Sequence, residues 1–187
     1  MAITWHNLQK ISSKSYQCGY CNKQIGSDSG YSGHQGPSLV GIIVICSYCN
    51  KPSFFFGETQ TPAFRLGNEV KNIADESVKN LYNEARDCTS VGAYTSAILV
   101  CRKIIMHLAV EKGAAPGQSF VSYIDFLESG HYFPPNGRPW VDKIRQKGNE
   151  ANHEIIIVNK DEAKELLLFV EFLLRFIYEF PSYTIPT

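Results

Sequence analysis

The chain has 187 residues, of which 44% are hydrophobic and 19% are charged, proportions typical of a globular protein rather than a disordered chain. The formal net charge is zero, which argues against the strongly basic surface that drives nonspecific nucleic-acid binding. Residues 1–65 hold five Lys or Arg residues and two Asp or Glu residues, a net charge of +3. The first six residues show no basic stretch followed by an apolar segment, so we expect no secretory signal and a cytoplasmic location.

Four cysteines stand in two pairs near the start of the chain, Cys18-Gly-Tyr-Cys21 and Cys46-Ser-Tyr-Cys49. Each C-x2-C pair can turn two thiolates toward one ion, and two pairs complete the tetrahedral coordination that Zn²⁺ prefers. Because four protein ligands leave no position open for water, we expect one structural zinc per chain. A disulfide framework or reactive thiols are the alternatives, and a reducing compartment disfavours both. His34, between the pairs, is a weaker ligand candidate.

Two short runs flank the second cysteine pair and are typical of strands. Residues 39–45 are rich in β-branched side chains, and residues 53–56 contain three consecutive phenylalanines. Residues 1–65 are therefore predicted to form a small zinc ribbon, with the Gly- and Ser-rich residues 26–38 as a loop. Alternation along a strand buries at least one of Phe54, Phe55 and Phe56, and we expect packing rather than base stacking to be their main use.

From Asp75 onward the apolar residues recur at helical spacing, which predicts a helical domain over residues 66–187. About five helices are expected. Their markers, in chain order, are Tyr82 in the first, Gly92 and Gly113 around the second, the N-cap Ser119 of the third, a start near Trp140 for the fourth, and the N-cap Asp161 of a last helix that reaches Tyr178. The predicted fold class is mainly α, a helical bundle preceded by a small β zinc ribbon. The last helix is apolar around most of its circumference, so it is either central or shared with another subunit.

Two further features of the helical domain concern burial. Glu171, Arg175 and Glu179 recur every four residues and form one polar stripe on the last helix, which argues against a membrane span. Cys88 and Cys101 have no partners at metal-ligand spacing and are expected to be small buried core residues.

The end of the predicted fourth helix carries a group of polar residues that share one face. Arg145, Asn149 and His153 recur every four residues, which spreads them over about 80° and separates the two outer Cα atoms by about 12 Å. Gly148 in this helix costs about 1 kcal/mol relative to Ala, a cost usually accepted where a backbone or ligand comes close. The pattern predicts a site for an anionic group such as a phosphodiester.

The segment Ile-Arg-x-x-Gly-Asn-x-x-x-His that ends at His153, preceded by the Cys-Arg-Lys run at residues 101–103 and by Tyr82-Asn-Glu-Ala85, resembles the DUF4145 family. That family belongs to the wider HEPN superfamily of helical domains. Many HEPN members are metal-independent ribonucleases that act as homodimers, in which Arg and His of an R-x4-6-H motif from both subunits meet in one cleft. The resemblance covers about residues 62–180, and a cysteine-paired ribbon in front is a frequent arrangement.

The resemblance implies a role for each residue of the candidate site. His153 would move the proton of the ribose 2′-hydroxyl, and Arg145 would stabilise charge on the phosphorane oxygens. Asn149 would orient the phosphate or the imidazole, Gly148 would allow close approach of the substrate, and Arg102 would face the same cleft. Seven residues separate Arg145 from His153, rather than the four to six of the ribonuclease motif.

Three functions are consistent with these observations. The first is a ribonuclease acting in phage defence or as a toxin. The second is a non-catalytic module of a defence or restriction system, in which the ribbon binds nucleic acid or protein and the helices dimerise. The third is a sensor of a nucleotide or other phosphate, with Arg102 and Arg145 as anion-binding residues.

Overall fold

The computed structural model describes residues 3–132, 139–140 and 158–183. The chain forms two compact units, Met1–Arg65 and Leu66–Thr187. Of the described residues, 44% are helical and 23% lie in strands.

The first unit is an antiparallel sheet of five strands whose spatial order follows the chain order. The strands are β1 (Gln9–Gln17), β2 (Gln24–Gln35), β3 (Ser38–Ile45), β4 (Pro52–Phe56) and β5 (Thr59–Thr61). Consecutive strands are joined by short turns, so neighbouring strands pair as hairpins. The two cysteine pairs occupy the β1–β2 and β3–β4 turns.

The loop predicted for residues 26–38 is wrong, because most of it belongs to β2. Glycines in this segment permit close strand approach. A Cβ atom on Gly30 would lie 1.9 Å from the carbonyl oxygen of Ile43 on β3, so a larger residue would separate the strands. The turn itself is confined to the two residues before Ser38, where Gly36 has a φ of 59°. The Gly- and Ser-rich composition of this segment therefore did not indicate the long strand β2.

The second unit contains four α-helices within the described part of the chain: α1 (Glu76–Ser90), α2 (Tyr94–Glu111), α3 (Phe120–Ser129) and α4 (Lys160–Leu174). A π-helical turn (Arg175–Glu179) and a 3-10 turn (Phe180–Tyr183) continue α4. The prediction of a mainly α fold with about five helices is wrong, since the described residues form four helices and a five-stranded sheet. Of the predicted fourth helix, only Pro139 and Trp140 lie within the described residues.

Helix caps explain where these helices begin. The Ser119 hydroxyl accepts the backbone N–H of Ser122, which confirms it as the N-cap of α3. The last helix starts two residues earlier than the predicted N-cap Asp161 indicates, because Asn159 and Glu162 form a reciprocal capping box. Within residues 3–132, 139–140 and 158–183, no helix combines the length and apolar character that crossing a membrane requires.

The polar stripe at the end of α4 is buried rather than solvated. Glu171 and Glu179 are 7% and 6% exposed, and Arg175 pairs with both carboxylates at 3.1 and 2.7 Å. Glu171 also accepts the backbone N–H of Asn68 at 2.8 Å and its side-chain amide at 3.1 Å. The stripe therefore fixes the segment after residue 65 onto the helices of the second unit.

Candidate functional site

The predicted site residues fall into two groups. The four paired cysteines and Arg102 lie within the described residues, whereas Arg145, Gly148, Asn149 and His153 lie outside them.

Each cysteine pair forms the same tight turn. In the first, the Cys18 N–H donates to the Lys23 carbonyl at 3.0 Å and the Asn22 N–H donates to the Cys18 carbonyl at 2.9 Å. The second turn repeats both bonds, at the same distances, between Cys46, Asn50 and Lys51. Both asparagines have a φ of 59°, a left-handed conformation that Asn tolerates better than most residues. Two near-identical turns thus direct two sulfurs each toward one point.

The four sulfurs meet at spacings that suit one metal ion. Cys18 Sγ lies 3.7 Å from Cys49 Sγ, and Cys21 Sγ lies 3.8 Å from Cys46 Sγ. All four atoms lie within 4.8 Å of one another. Sulfurs bound at about 2.3 Å to a tetrahedral Zn²⁺ lie about 3.8 Å apart. The donor set and its spacing therefore fit a tetrahedral, thiolate-preferring ion with four protein ligands.

Hydrogen bonds and burial shift the pKa values of these thiols in opposite directions. Burial raises the pKa of Cys49 to about 12 and also raises that of Cys18. Burial acts in the same direction on Cys46, but N–H groups of Cys49 and Tyr48 and the neighbouring thiols outweigh it and lower the Cys46 pKa. A divalent cation stabilises the thiolate form of all its ligands, so binding releases protons.

Each cysteine-bearing turn belongs to a repeated hexapeptide that the spacing of the cysteines alone did not reveal. The pattern Cys-x-Tyr-Cys-Asn-Lys occurs at residues 18–23 and again at 46–51. The Lys23 ammonium lies 3.4 Å from the ring centroid of Tyr48, and the Lys51 ammonium lies 4.9 Å from that of Tyr20. The two turns therefore exchange cation–π contacts across the site. The Asn-Lys dipeptide after each pair was the available sequence signal.

The inner face of the sheet packs beneath the two cysteine-bearing turns. Its core contains Tyr16, Val44 and Phe55 together with Cys18 and Cys46. The Tyr16 and Phe55 rings meet edge to face at 5.1 Å. Phe55 is 3% exposed, so one of the three phenylalanines packs as expected. Because this core is small and two of its members are metal-ligand candidates, binding of a metal there would be coupled to folding of the sheet.

The outer face of the sheet, by contrast, exposes apolar side chains. Tyr31 on β2 is opposite Ile43 on β3, which is opposite Phe54 on β4. Phe54 is 44% exposed and Phe56 is 63% exposed. Strand alternation turns these two rings away from the core that holds Phe55, so one phenylalanine is buried and two are exposed.

These exposed rings border a groove of about 280 Å³. Gly33 and Gly41 are paired on its floor, and a Cβ on Gly41 would lie 2.9 Å from the ring of Phe54. Glycine at this position therefore lets the ring lie over the strand. The lining comes from β2, β3 and β4 and contains no charged residue. Sequence patterning identified the phenylalanines but not the groove, which depends on strand register.

Arg102 is a buried cation on α2. It is 9% exposed, and its guanidinium carbon lies 4.3 Å from the ring centroid of Phe120 on α3. Burial lowers its pKa. The aromatic ring is one of the partners that an arginine among apolar neighbours requires.

Comparison with known protein families gives a match in the helical part of the chain. The family described as "Domain of unknown function (DUF4145)" matches residues 83–184. The chain belongs to the DUF4145 family. Searches of curated proteins and of solved structures each gave no significant match. In this DUF4145 protein the matched region begins within α1, so the cysteine cluster and the groove precede it.

Proposed function

We propose that this DUF4145 protein is a protein-recognition module in which a zinc ion holds the sheet and the outer groove binds apolar side chains of a partner. The single observation that carries the proposal is the uncharged groove bordered by Phe54 and Phe56. Contiguous exposed apolar surface of this kind marks interaction sites in soluble proteins.

The composition of the groove favours protein over nucleic acid as its partner. Single-stranded nucleic acids need cations along the backbone path as well as aromatic rings, and no Lys or Arg lines the groove. Four thiolates and one Zn²⁺ would add −2 to the +3 of residues 1–65, leaving little positive charge. An aliphatic or aromatic side chain of a peptide, in contrast, would fill a groove of this volume.

The helical unit is proposed to bring two chains together. Leu168 and Phe176 on the last helix are 37% and 39% exposed, and their separation of eight residues places them on the same face. A homodimer formed there would present two grooves to a partner, which raises avidity without new contacts.

Peptides that bind the zinc-loaded wild-type protein are selected from a random library, and these peptides test whether the groove is the binding site. Selected peptides should carry apolar residues, and the double variant Phe54→Ser, Phe56→Ser should bind them at least about thirtyfold more weakly, as expected for loss of two central aromatic contacts. Calorimetry measures both affinities. Leu39→Ser is the matched control, since Leu39 is 56% exposed on the same sheet but does not line the groove.

Two results would count against this function. Equal affinity of the selected peptides for the double variant and the wild type would exclude the groove. Tight binding of a single-stranded RNA or DNA oligonucleotide that the double variant loses would assign the same face to nucleic acid.

RNA cleavage is a second candidate, favoured by the buried cation Arg102 on the helix that carries the Cys-Arg-Lys run. In this proposal Arg145 and His153 act on RNA without a metal. His153→Ala should then reduce cleavage of an RNA oligonucleotide by at least about a hundredfold in the presence of EDTA. His131→Ala is the control for general loss of histidine, and undiminished cleavage by His153→Ala would contradict the proposal.

A further inference from the structure

The described part of the chain contains a second group of metal-ligating side chains, which lies entirely in the helical unit. Asp75, His107 and Glu111 each direct one ligand atom to a common point, and the three atoms lie within 4.8 Å of one another. Asp75 precedes α1, whereas His107 and Glu111 stand one turn apart on α2. The group is thus assembled by the packing of two helices, which is why sequence spacing alone did not indicate it.

Two of the three ligands, Asp75 and Glu111, are held by hydrogen bonds to residues outside the group. Asp75 uses Oδ1 to accept the N–H groups of Ser77 and Val78 at the start of α1. Its other oxygen, Oδ2, lies 3.1 Å from His107 Nε2. Glu111 Oε2 accepts the Tyr178 hydroxyl at 2.6 Å. In metal sites, hydrogen bonds of this kind orient the side chains that bind the metal directly.

Charge and accessibility also suit a cation at this position. Glu111 ends α2 and His107 lies one turn earlier, close to the helix C-terminus, where the aligned peptide dipoles create negative potential. The N–H groups of Ser77 and Val78 lower the pKa of Asp75, so its carboxylate is charged at neutral pH. The side chains of His107 and Asp75 are 47% and 35% exposed, which leaves a path for an ion.

One cation already contacts the group. The Lys112 ammonium lies 2.9 Å from Glu111 Oε1. This side chain is 25% exposed and follows the end of α2, so it can turn to solvent when an ion neutralises the carboxylate. Each carboxylate oxygen also has a second lone pair, and Glu111 Oε2 can therefore bind an ion while it accepts the Tyr178 hydroxyl.

We propose that Asp75, His107 and Glu111 form a second divalent-cation site, distinct from the cysteine cluster and open to solvent. Ligand atoms about 2.1 Å from an ion lie about 3.0 to 3.4 Å apart in octahedral or tetrahedral geometry. The 3.1 Å separation between Asp75 Oδ2 and His107 Nε2 already meets this value, and a carboxylate oxygen of Glu111 lies within 4.8 Å of both atoms.

The ligand set indicates the class of ion. One imidazole and two carboxylates suit first-row transition dications such as Mn²⁺, Fe²⁺ or Zn²⁺, whereas Mg²⁺ and Ca²⁺ prefer oxygen ligands alone. Three protein ligands leave coordination positions for water or for an anionic ligand. The site therefore differs in kind from the closed thiolate centre of the first unit.

Mn²⁺ is the probe for this proposal, used on the zinc-loaded full chain in excess Mg²⁺. Electron paramagnetic resonance should show one equivalent of Mn²⁺ bound, and the NMR signals of the His107 ring should broaden before those of His34 and His131. His107→Gln should weaken binding at least about tenfold, since even supporting residues of metal sites contribute tenfold or more. His131→Gln is the matched control and should leave Mn²⁺ affinity unchanged.

Asp75→Asn separates loss of the site from loss of the fold. Asn is as good an N-cap as Asp, so α1 should be retained, as circular dichroism would show, while Mn²⁺ affinity falls. Failure of wild-type protein to bind Mn²⁺ at millimolar concentration would overturn the proposal. Unchanged Mn²⁺ affinity in both His107→Gln and Asp75→Asn would overturn it equally.

Discussion

Replacing Cys46 by serine should release the metal and unfold the sheet of the first unit, leaving the helical unit folded. Cys46 is 1% exposed and lies in the core beneath the sheet as well as among the four sulfurs. Structural Zn²⁺ contributes about 10 to 16 kcal/mol to folding in small zinc-dependent domains, which is as large as the total stability of most domains. We therefore expect metal content to fall from one zinc per chain to none, with loss of β-sheet amide signals in NMR spectra.

The control for this experiment is Cys88→Ser. Cys88 lies on α1, outside the sulfur cluster, and its replacement should leave the zinc content at one per chain. A strong chelator added to the wild-type protein should reproduce the effect of Cys46→Ser. Sheet signals that persist after complete removal of zinc would show that the metal does not hold the fold of this unit.

Replacing Glu171 by alanine should destabilise the helical unit by about 3 kcal/mol, because hydrogen-bond donors of Asn68 and Arg175 lose their buried acceptor. The change removes the carboxylate that pairs with Arg175 and accepts both the backbone and side-chain amides of Asn68. Urea denaturation followed by helical circular dichroism measures the free energy of unfolding. The slope of the unfolding free energy against urea concentration should be unchanged if the variant and the wild type expose the same surface area on unfolding.

Lys79→Ala is the matched control for Glu171→Ala. Lys79 pairs with Glu76 at 3.2 Å on an exposed helix surface, where the side chains are 49% and 68% exposed. Loss of such a pair costs less than about 1 kcal/mol. If the two variants lose the same stability, the buried carboxylate is not the structural contact that the hydrogen bonds indicate.

Local features of this fold were predictable from the sequence because their physics is local. The cysteine pairs fix a tight turn within six residues, and Ser119 caps α3 within three. The cap of the last helix was assigned to Asp161, although Asn159 and Glu162, also neighbours in sequence, form it. The error concerns which of several neighbouring side chains able to cap a helix is the N-cap.

Long-range features were not predictable, since they depend on partners far apart in the chain. The burial of Glu171 requires Asn68, more than 100 residues earlier. The groove requires the register that brings Gly33, Gly41 and Phe56 together across three strands. Glycine-rich β2 was misread as a loop because composition does not reveal where another strand passes close to the backbone. The candidate residues Arg145 and His153 lie outside the described residues, so the ribonuclease hypothesis still depends on the sequence.

NMR titration of the zinc-loaded protein with a selected peptide tests most directly whether the sheet, held by its metal, presents its outer face to a protein partner. Chemical-shift changes are expected at Gly33, Gly41, Phe54 and Phe56, and the response should be lost after zinc is chelated. Shift changes confined to the helical unit, or a response that survives complete chelation, would contradict this proposal.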